Sequence, residues 1–147
     1  MGNLLGLPEW VSVTAFAAFA LAIWMGFGFW GIRRAHAEVA ARRPNPTEAE
    51  FLTMMADDCS PQAAQFLWGQ ATFYVSPGLT PHPDDDLIKD LRIDDDDIAM
   101  DWPRAWAEQR GFAESDQPEW PEDWPVTARN FGRWLDQGPR SGTSQSD

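Results

Sequence analysis

An uncharged apolar run, Val11–Ile32, constrains this chain more than any other feature. Its 22 residues read VSVTAFAAFALAIWMGFGFWGI and include no Asp, Glu, Lys or Arg. A bilayer core of ~30 Å is crossed by about 20 helical residues that rise ~1.5 Å each. Because a helix satisfies its own backbone hydrogen bonds, it is the structure that a single segment adopts in lipid. The run therefore predicts one transmembrane helix over residues 11–32.

Two motifs in and beside this run suggest other assignments. Gly26–Gly31 spells GxGxxG, but a dinucleotide-binding loop follows a strand and opens a helix, whereas these glycines lie inside an apolar span. Ala35–Ala37 has the small-x-small pattern of a signal-peptide cleavage site. A secretory signal has a basic amino-terminal region and a shorter apolar core. We therefore expect a retained anchor, with cleavage as the alternative.

Charged residues at the two flanks of the run predict its orientation. Residues 1–10 carry Glu9 and no basic side chain, whereas the other flank carries four arginines, Arg33, Arg34, Arg42 and Arg43. Positive residues near a span stay on the cytoplasmic side. We expect residues 1–10 in the periplasm or lumen and the carboxyl-terminal part in the cytoplasm, at a bacterial inner (cytoplasmic or intracytoplasmic) membrane. Residues suited to anchor the helix at the two interfaces are Trp10, Trp30, Arg33 and Arg34.

One face of the predicted span is lined by small residues. Thr14, Ala18, Ala22 and Gly26 recur every four residues. Small side chains at this spacing allow a second transmembrane helix to approach closely. The pattern predicts a helix-packing face, and a plain lipid anchor is the alternative. No ionisable residue lies in the span, which argues against a proton relay or ion path through it.

Charge is distributed unevenly along the chain. Residues 44–147 carry 7 basic and 21 acidic side chains, a net charge of −14, whereas residues 1–43 have a net charge of +2. Phosphate binding requires positive charge, so nucleic acid is not a natural partner. Anionic lipid headgroups repel the acidic part as well. A basic protein surface is the expected complement.

The soluble part shows several helix signals and no alternating strand pattern. Asn45 is the predicted N-cap of a first helix, with Pro46 at the first helical position and Glu48 at the third. Ser60 followed by Pro61 caps a second helix that extends to residues 73–75. Further predictions are a helix over 102–112 ended by Gly111, an irregular loop over 117–125 and a short helix from Thr127 to Leu135.

These signals predict an all-α protein with five segments. Residues 1–10 form the amino-terminal flank and residues 11–32 the transmembrane helix. Residues 33–46 continue that helix and end in a linker at Pro44 and Pro46. Residues 47–136 form one small acidic helical domain, and residues 137–147 form a polar tail. The lone Cys59 excludes an internal disulfide and is expected to be a buried, inert thiol.

The acidic segment Asp84–Asp97 is the most distinctive local motif in the chain. Counted from Asp84 or from Asp94, it lacks the oxygen ligands and the glycine that a calcium loop of the EF-hand type needs. Asp90–Asp96 reads D-L-R-I-D-D-D and resembles the D-L-G-x-D-S-L signature of acyl carrier proteins. It is similar also to small carrier-like proteins of unknown function that read D-L-G-I-D-G-D-D. The resemblance covers residues 47–136.

This resemblance implies a four-helix bundle that docks on basic partner surfaces. In carrier proteins the serine of the signature bears the phosphopantetheine arm, and Asp95 occupies that position here. Without a hydroxyl nucleophile the arm cannot be attached, so a working carrier is not expected. The Trp-rich loop at residues 117–125 also departs from the family pattern. The residues assigned to partner docking are Asp94, Asp95, Asp96, Asp97, Trp102 and Trp106.

The sequence offers no catalytic constellation. His36 and His82 are the only histidines, and His82 is expected to be an exposed loop residue between two prolines. Neither lies in a recognisable acid–base, nucleophile or metal-ligand pattern. We therefore predict no catalytic, cofactor or metal site. The expected function is that of a non-catalytic, single-pass accessory subunit of a larger membrane complex, respiratory or photosynthetic. The alternatives are a tethered module that recruits a soluble basic protein and a degenerate membrane-bound acyl-carrier-like protein or enzyme.

Overall fold

The computed structural model describes residues 9–139 and contains five α-helices and no β-strand within them. The all-α prediction is therefore confirmed. The chain divides into two compact units, Met1–Ala35 and His36–Asp147. The helices are α1 (Glu9–Arg42), α2 (Glu48–Met55), α3 (Pro61–Val75), α4 (Trp102–Arg110) and α5 (Ala128–Leu135).

Helix α1 is long and apolar enough to cross a membrane. Its stretch Val13–Arg42 spans 30 residues, and the most apolar window within it has a mean hydropathy of 1.8 with no residue buried. These are properties of length and composition, and they agree with the predicted span at residues 11–32. The helix ends at Arg42, shortly before Pro44 and Pro46, as expected because neither proline can continue a helical hydrogen-bond ladder.

The second unit starts at His36, so the end of α1 belongs to it. Val39 is buried in its core, and the His36 ring nitrogen Nε2 lies 2.9 Å from the backbone oxygen of Leu91. The predicted linker at residues 33–46 therefore contributes to the packed unit over most of its length. A sequence pattern cannot show this, because the partner of His36 lies 55 residues away.

Helix caps confirm most of the predicted starts and correct one. Asn45 is not the N-cap of α2. That position belongs to Thr47, whose hydroxyl accepts from the Glu50 N–H while the Glu50 carboxylate accepts from the Thr47 N–H at 2.7 Å. This reciprocal pair is a complete capping box, which satisfies two backbone donors where Asn45 would satisfy one. Ser60 caps α3 and Thr127 caps α5 as predicted.

Two further helix predictions concern α4 and the loop that follows it. Gly111 terminates α4 with φ 77°, the left-handed conformation that glycine adopts without a Cβ clash. A π-helical segment, Asp97–Asp101, leads directly into α4 and has no counterpart in the predictions.

Residues 117–125 contain no helix, as expected. Of the predicted polar tail, residues 140–147 lie outside the described part of the chain.

The core of the second unit is apolar and rich in aromatic side chains. Helix α3 packs against both α2 and α5. Gly132 permits the close approach of α5, since a Cβ there would lie 2.8 Å from Met55 Cε and 2.9 Å from Cys59 Sγ. Next to this contact, Phe131 packs against Trp102 and Trp134 with ring centroids 5.6 and 5.2 Å away. Large rings supply much of the buried area in a domain this small.

Candidate docking surface

The first half of the acidic segment is paired within the protein. Asp85 is 5 % exposed, and its carboxylate accepts from Arg43 Nη2 at 2.5 Å and Nε at 2.7 Å and from the His82 N–H at 2.8 Å. Burial raises the pKa of the Asp85 carboxyl, and the hydrogen bonds from Arg43 and His82 oppose that shift. Asp85 therefore joins the segment after α1 to the acidic loop and is not available to a partner.

Other acidic residues of the second unit also form ion pairs within the protein. Arg129 of α5 donates to Asp84 at 2.8 Å and to Asp58. The hydrogen bond from Arg129 lowers the pKa of Asp84. Arg133 also donates to Asp58, whose side chain is buried. These pairs join α5 to the loop after α2 and to the acidic segment.

The second half of the acidic segment is different because its charges face solvent. Asp94, Asp95 and Asp96 are exposed, and none of them forms an ion pair with any described residue. Among the residues that the structure describes, the Asp94 carboxylate accepts only from the Asp96 N–H, at 3.0 Å, just before the π-helical segment. We call Asp94, Asp95 and Asp96 the carboxylate cluster. It is a concentration of negative charge that the fold leaves uncompensated.

Asp97 was assigned to the same docking surface, and its position is intermediate. Its side chain is half-buried and accepts a hydrogen bond from the Tyr74 hydroxyl at 2.8 Å. Desolvation by burial and this hydrogen bond both raise the pKa of Tyr74. Asp97 thus links α3 to the π-helical segment.

Two tryptophans assigned to docking belong to the core. Trp102 and Trp106 are each 2 % exposed, so their assignment to a docking surface is wrong. Trp106 Nε1 donates to the backbone oxygen of Leu135 at 3.2 Å, and Trp102 packs on Phe131. The two residues are four apart, so they share the inward face of α4. Composition could not separate this role from a surface anchor, because tryptophan is used in both.

The small-residue face is exposed along its length in the first unit. Thr14, Ala18, Ala22 and Gly26 follow one another at four-residue intervals on α1, so they form a continuous strip. The Thr14 hydroxyl donates to the Trp10 backbone oxygen at 2.7 Å, which removes its one donor from competition for lipid or partner groups. The strip is therefore narrow, smooth and free of unsatisfied donors.

The predicted anchors lie at the two ends of the apolar run. Trp10 and Trp30 are both well exposed, and Arg33 and Arg34 are exposed beyond Trp30. The Arg34 guanidinium lies over the Trp30 ring, 5.6 Å from its centroid. An aromatic ring stacked with an arginine suits the headgroup region, where the ring can contact apolar lipid and the guanidinium can contact water.

The two histidines are more buried than the sequence indicates, since His36 is 6 % exposed and the His82 side chain 19 %. The sequence predicts an exposed His82, but its side chain is only 19 % exposed, and its Nδ1 accepts from the Asp84 N–H at 3.3 Å. That expectation is wrong because Pro81 and Pro83 are both buried and draw the loop inward. Across residues 9–139 no group of three or more His, Cys, Asp or Glu side chains is arranged to hold a metal ion.

Arg92 has a backbone conformation that its side chain does not favour. Its φ is 57°, and it is the non-glycine residue with positive φ in the described chain. The main chain at Arg92 therefore adopts the conformation that glycine enters most readily.

Comparison with known proteins adds nothing further, since no protein family, curated protein or solved structure matches this chain.

Proposed function

We propose that this protein is a single-pass, non-catalytic accessory subunit of a larger inner-membrane assembly. The observation that carries the proposal is the pairing of two exposed surfaces of opposite character in one chain. One is the apolar helix with its small-residue strip, and the other is the carboxylate cluster on a folded acidic domain. Each surface fits a different class of neighbour, a transmembrane helix for the strip and a basic protein surface for the cluster.

The charge of the second unit supports a protein partner. Residues 44–147 have a net charge of −14, and the carboxylates of Asp94, Asp95 and Asp96 are not neutralised by described side chains. Anionic headgroups repel such a domain, whereas a basic protein surface attracts it and steers its approach. A respiratory or photosynthetic complex is the assembly type that we favour.

The arginines that flank the span support a cytoplasmic carboxyl-terminal domain. Arg33, Arg34, Arg42 and Arg43 all lie on the carboxyl-terminal side of the apolar run, and positive residues near a span stay on the cytoplasmic side. Arg33 and Arg34 follow the apolar run directly and carry most of the positive-inside signal. The proposed orientation therefore depends mainly on these two residues.

Purification of the tagged full chain in a mild detergent tests the proposal. We expect a stoichiometric membrane-protein partner that stays bound above ~0.3 M salt, because helix packing in the bilayer is not screened as surface charge pairs are. Loss of the partner at that salt concentration supports the alternative, a module that recruits a soluble basic protein. Recovery of the chain without any partner at low salt contradicts both.

The carrier-like alternative has its own test. An intact-mass measurement of the native protein detects any covalent arm on the second unit. We expect the mass of the unmodified chain, because Asp95 offers no hydroxyl to attach one. An added phosphopantetheine mass would contradict the accessory-subunit proposal and restore the carrier function.

A further inference from the structure

An apolar pocket opens beside the carboxylate cluster. Its volume is about 340 Å³, and it lies wholly within the second unit. Asp95 and Ala99 lie at its edge on the side of the π-helical segment. Its walls are apolar side chains from three parts of the chain, Ile98, Trp120, Val126, Phe131 and Trp134.

The pocket is held open by packed aromatic rings. The Trp120 centroid lies 5.7 Å from that of Phe131 and 5.6 Å from that of Trp134. Trp120 Nε1 donates to the Trp124 backbone oxygen at 3.3 Å, and Trp134 Nε1 donates to that of Pro118 at 3.0 Å. Both indole donors are therefore satisfied outside the pocket. A pocket wall whose rings are already packed and hydrogen-bonded needs little reorganisation, which reduces the entropy lost on binding.

The size and polarity of the pocket define what fits it. Small-molecule sites range from about 300 to 1,000 Å³, so this pocket is at the lower end and suits one large apolar side chain. The exposed Asp95 carboxylate at its edge, with Asp94 and Asp96 adjacent in sequence, favours positive charge close to that apolar group. An apolar anchor flanked by lysine or arginine satisfies both requirements.

We propose that the pocket is the anchor site for a basic segment of a partner protein. One large apolar side chain of that segment, such as phenylalanine or leucine, enters the pocket and packs against Trp120 and Trp134. Lysines or arginines on either side of it engage the carboxylate cluster. This inference rests on the proposed docking function and states where docking occurs. Charge complementarity selects a protein segment as the occupant, because the negative charge extends well beyond the edge of the pocket.

A pair of synthetic peptides tests the inference on the full chain in detergent-free lipid nanodiscs. Both are short and lysine-rich, and one carries a central phenylalanine where the other carries alanine. Fluorescence anisotropy of a labelled peptide measures binding. We expect the phenylalanine peptide to bind about tenfold more tightly, because a buried phenylalanine side chain removes a large apolar area from water.

Two matched pairs of variants connect this difference to the pocket. Ala99→Trp fills the pocket from its exposed edge, and we expect it to abolish the preference for phenylalanine. Ala113→Trp, at an exposed alanine that does not line the pocket, should leave that preference unchanged. Asp95→Asn should lower the affinity for both peptides several-fold and reduce the salt dependence of binding. Asp57→Asn should cause a smaller change in both the affinity and its salt dependence.

Equal binding of the two peptides to the unmodified chain would overturn the inference. So would a phenylalanine preference that persists in the Ala99→Trp variant. Because this assay uses no native partner, its result is separable from the co-purification experiment. A membrane partner without peptide discrimination leaves the accessory-subunit proposal and removes the pocket from it. If the chain discriminates between the peptides but no membrane partner is recovered, the pocket stands as a docking site and the accessory-subunit proposal is contradicted.

Discussion

Burial controls the chemistry of the single cysteine. Cys59 is buried near Asp58 and Asp136, and desolvation followed by these two carboxylates raises the pKa of its thiol to about 12. The thiolate is the reactive form. At pH 8 its fraction in the folded state is therefore lower by about three orders of magnitude than for a thiol of pKa 9.0.

We expect Cys59 to resist alkylation by iodoacetamide at pH 8 in the native chain and to react readily in denaturant. Mass spectrometry against time measures both rates. The native rate should rise with pH up to the raised pKa, as far as the fold survives. Rapid native labelling at pH 8 would show that the thiol is accessible and ionised.

Arg92 provides a second prediction at the scale of one residue. Its φ of 57° is unfavourable for any side chain with a Cβ. Arg92→Gly should be more stable than Arg92→Ala by about 1 kcal/mol, because both variants lose the guanidinium and only glycine removes the Cβ. Thermal unfolding followed by circular dichroism compares them. Equal melting temperatures would mean that the loop relaxes without cost.

At the scale of helices, the contact between α5 and its neighbours depends on Gly132. A Cβ at this position would meet Met55 and Cys59 at under 3.0 Å and Leu67 at 3.2 Å. Gly132→Ala should therefore lower the unfolding free energy by about 1–3 kcal/mol through overpacking. Gly69 is the matched control, since it lies inside α3 and a Cβ added there would have no atom within 4 Å.

Gly69→Ala should act in the opposite direction. Alanine has the higher helix propensity, so we expect a gain of about 0.5–1 kcal/mol in unfolding free energy. Denaturant titration of both variants measures the two changes. A shift of the same sign in both would show that helix propensity, and not the approach of α5, decides the effect at Gly132.

The strip on α1 also gives a test at the scale of one helix. Ala22 lies on the strip with Ala18 and Gly26, whereas Ala20 lies on another face. Ala22→Leu should reduce recovery of the membrane partner more than Ala20→Leu, because leucine prevents close helix approach only where the helices meet. Quantitative recovery of the complex from each variant measures this. Equal losses would remove the case for a docking face.

At the scale of the whole molecule, the prediction concerns orientation. Protease added to inverted membrane vesicles should digest residues of the acidic domain, and protease added outside spheroplasts should not. Arg33→Gln combined with Arg34→Gln should increase the fraction inserted the other way, because these two arginines are the positive residues nearest the apolar run. The control pair Arg104→Gln and Arg110→Gln, remote from the span in sequence, should leave the orientation unchanged.

Local patterns predicted much of the fold. The caps at Ser60 and Thr127, the terminating Gly111 and the irregular loop at residues 117–125 are all signals read within a few residues. The N-cap error at Asn45 has the same origin, since two polar residues flank Pro46 and only the reciprocal bonds of Thr47 and Glu50 distinguish them. The π-helical segment Asp97–Asp101 was missed because no local composition specifies it.

One apolar helix of membrane-spanning length, further helices and a strongly acidic carboxyl-terminal part could all be predicted from local sequence patterns. Periodicity, capping and charge are local or additive properties. The packed fold was needed to show which carboxylates are paired, which tryptophans belong to the core and where a pocket lies. Asp85 and Asp95 are both aspartates within the same acidic segment. Asp85 accepts a hydrogen bond from Arg43, 42 residues away in the sequence, whereas Asp95 faces solvent. Such differences arise from contacts between distant segments, which exist only once the chain has packed.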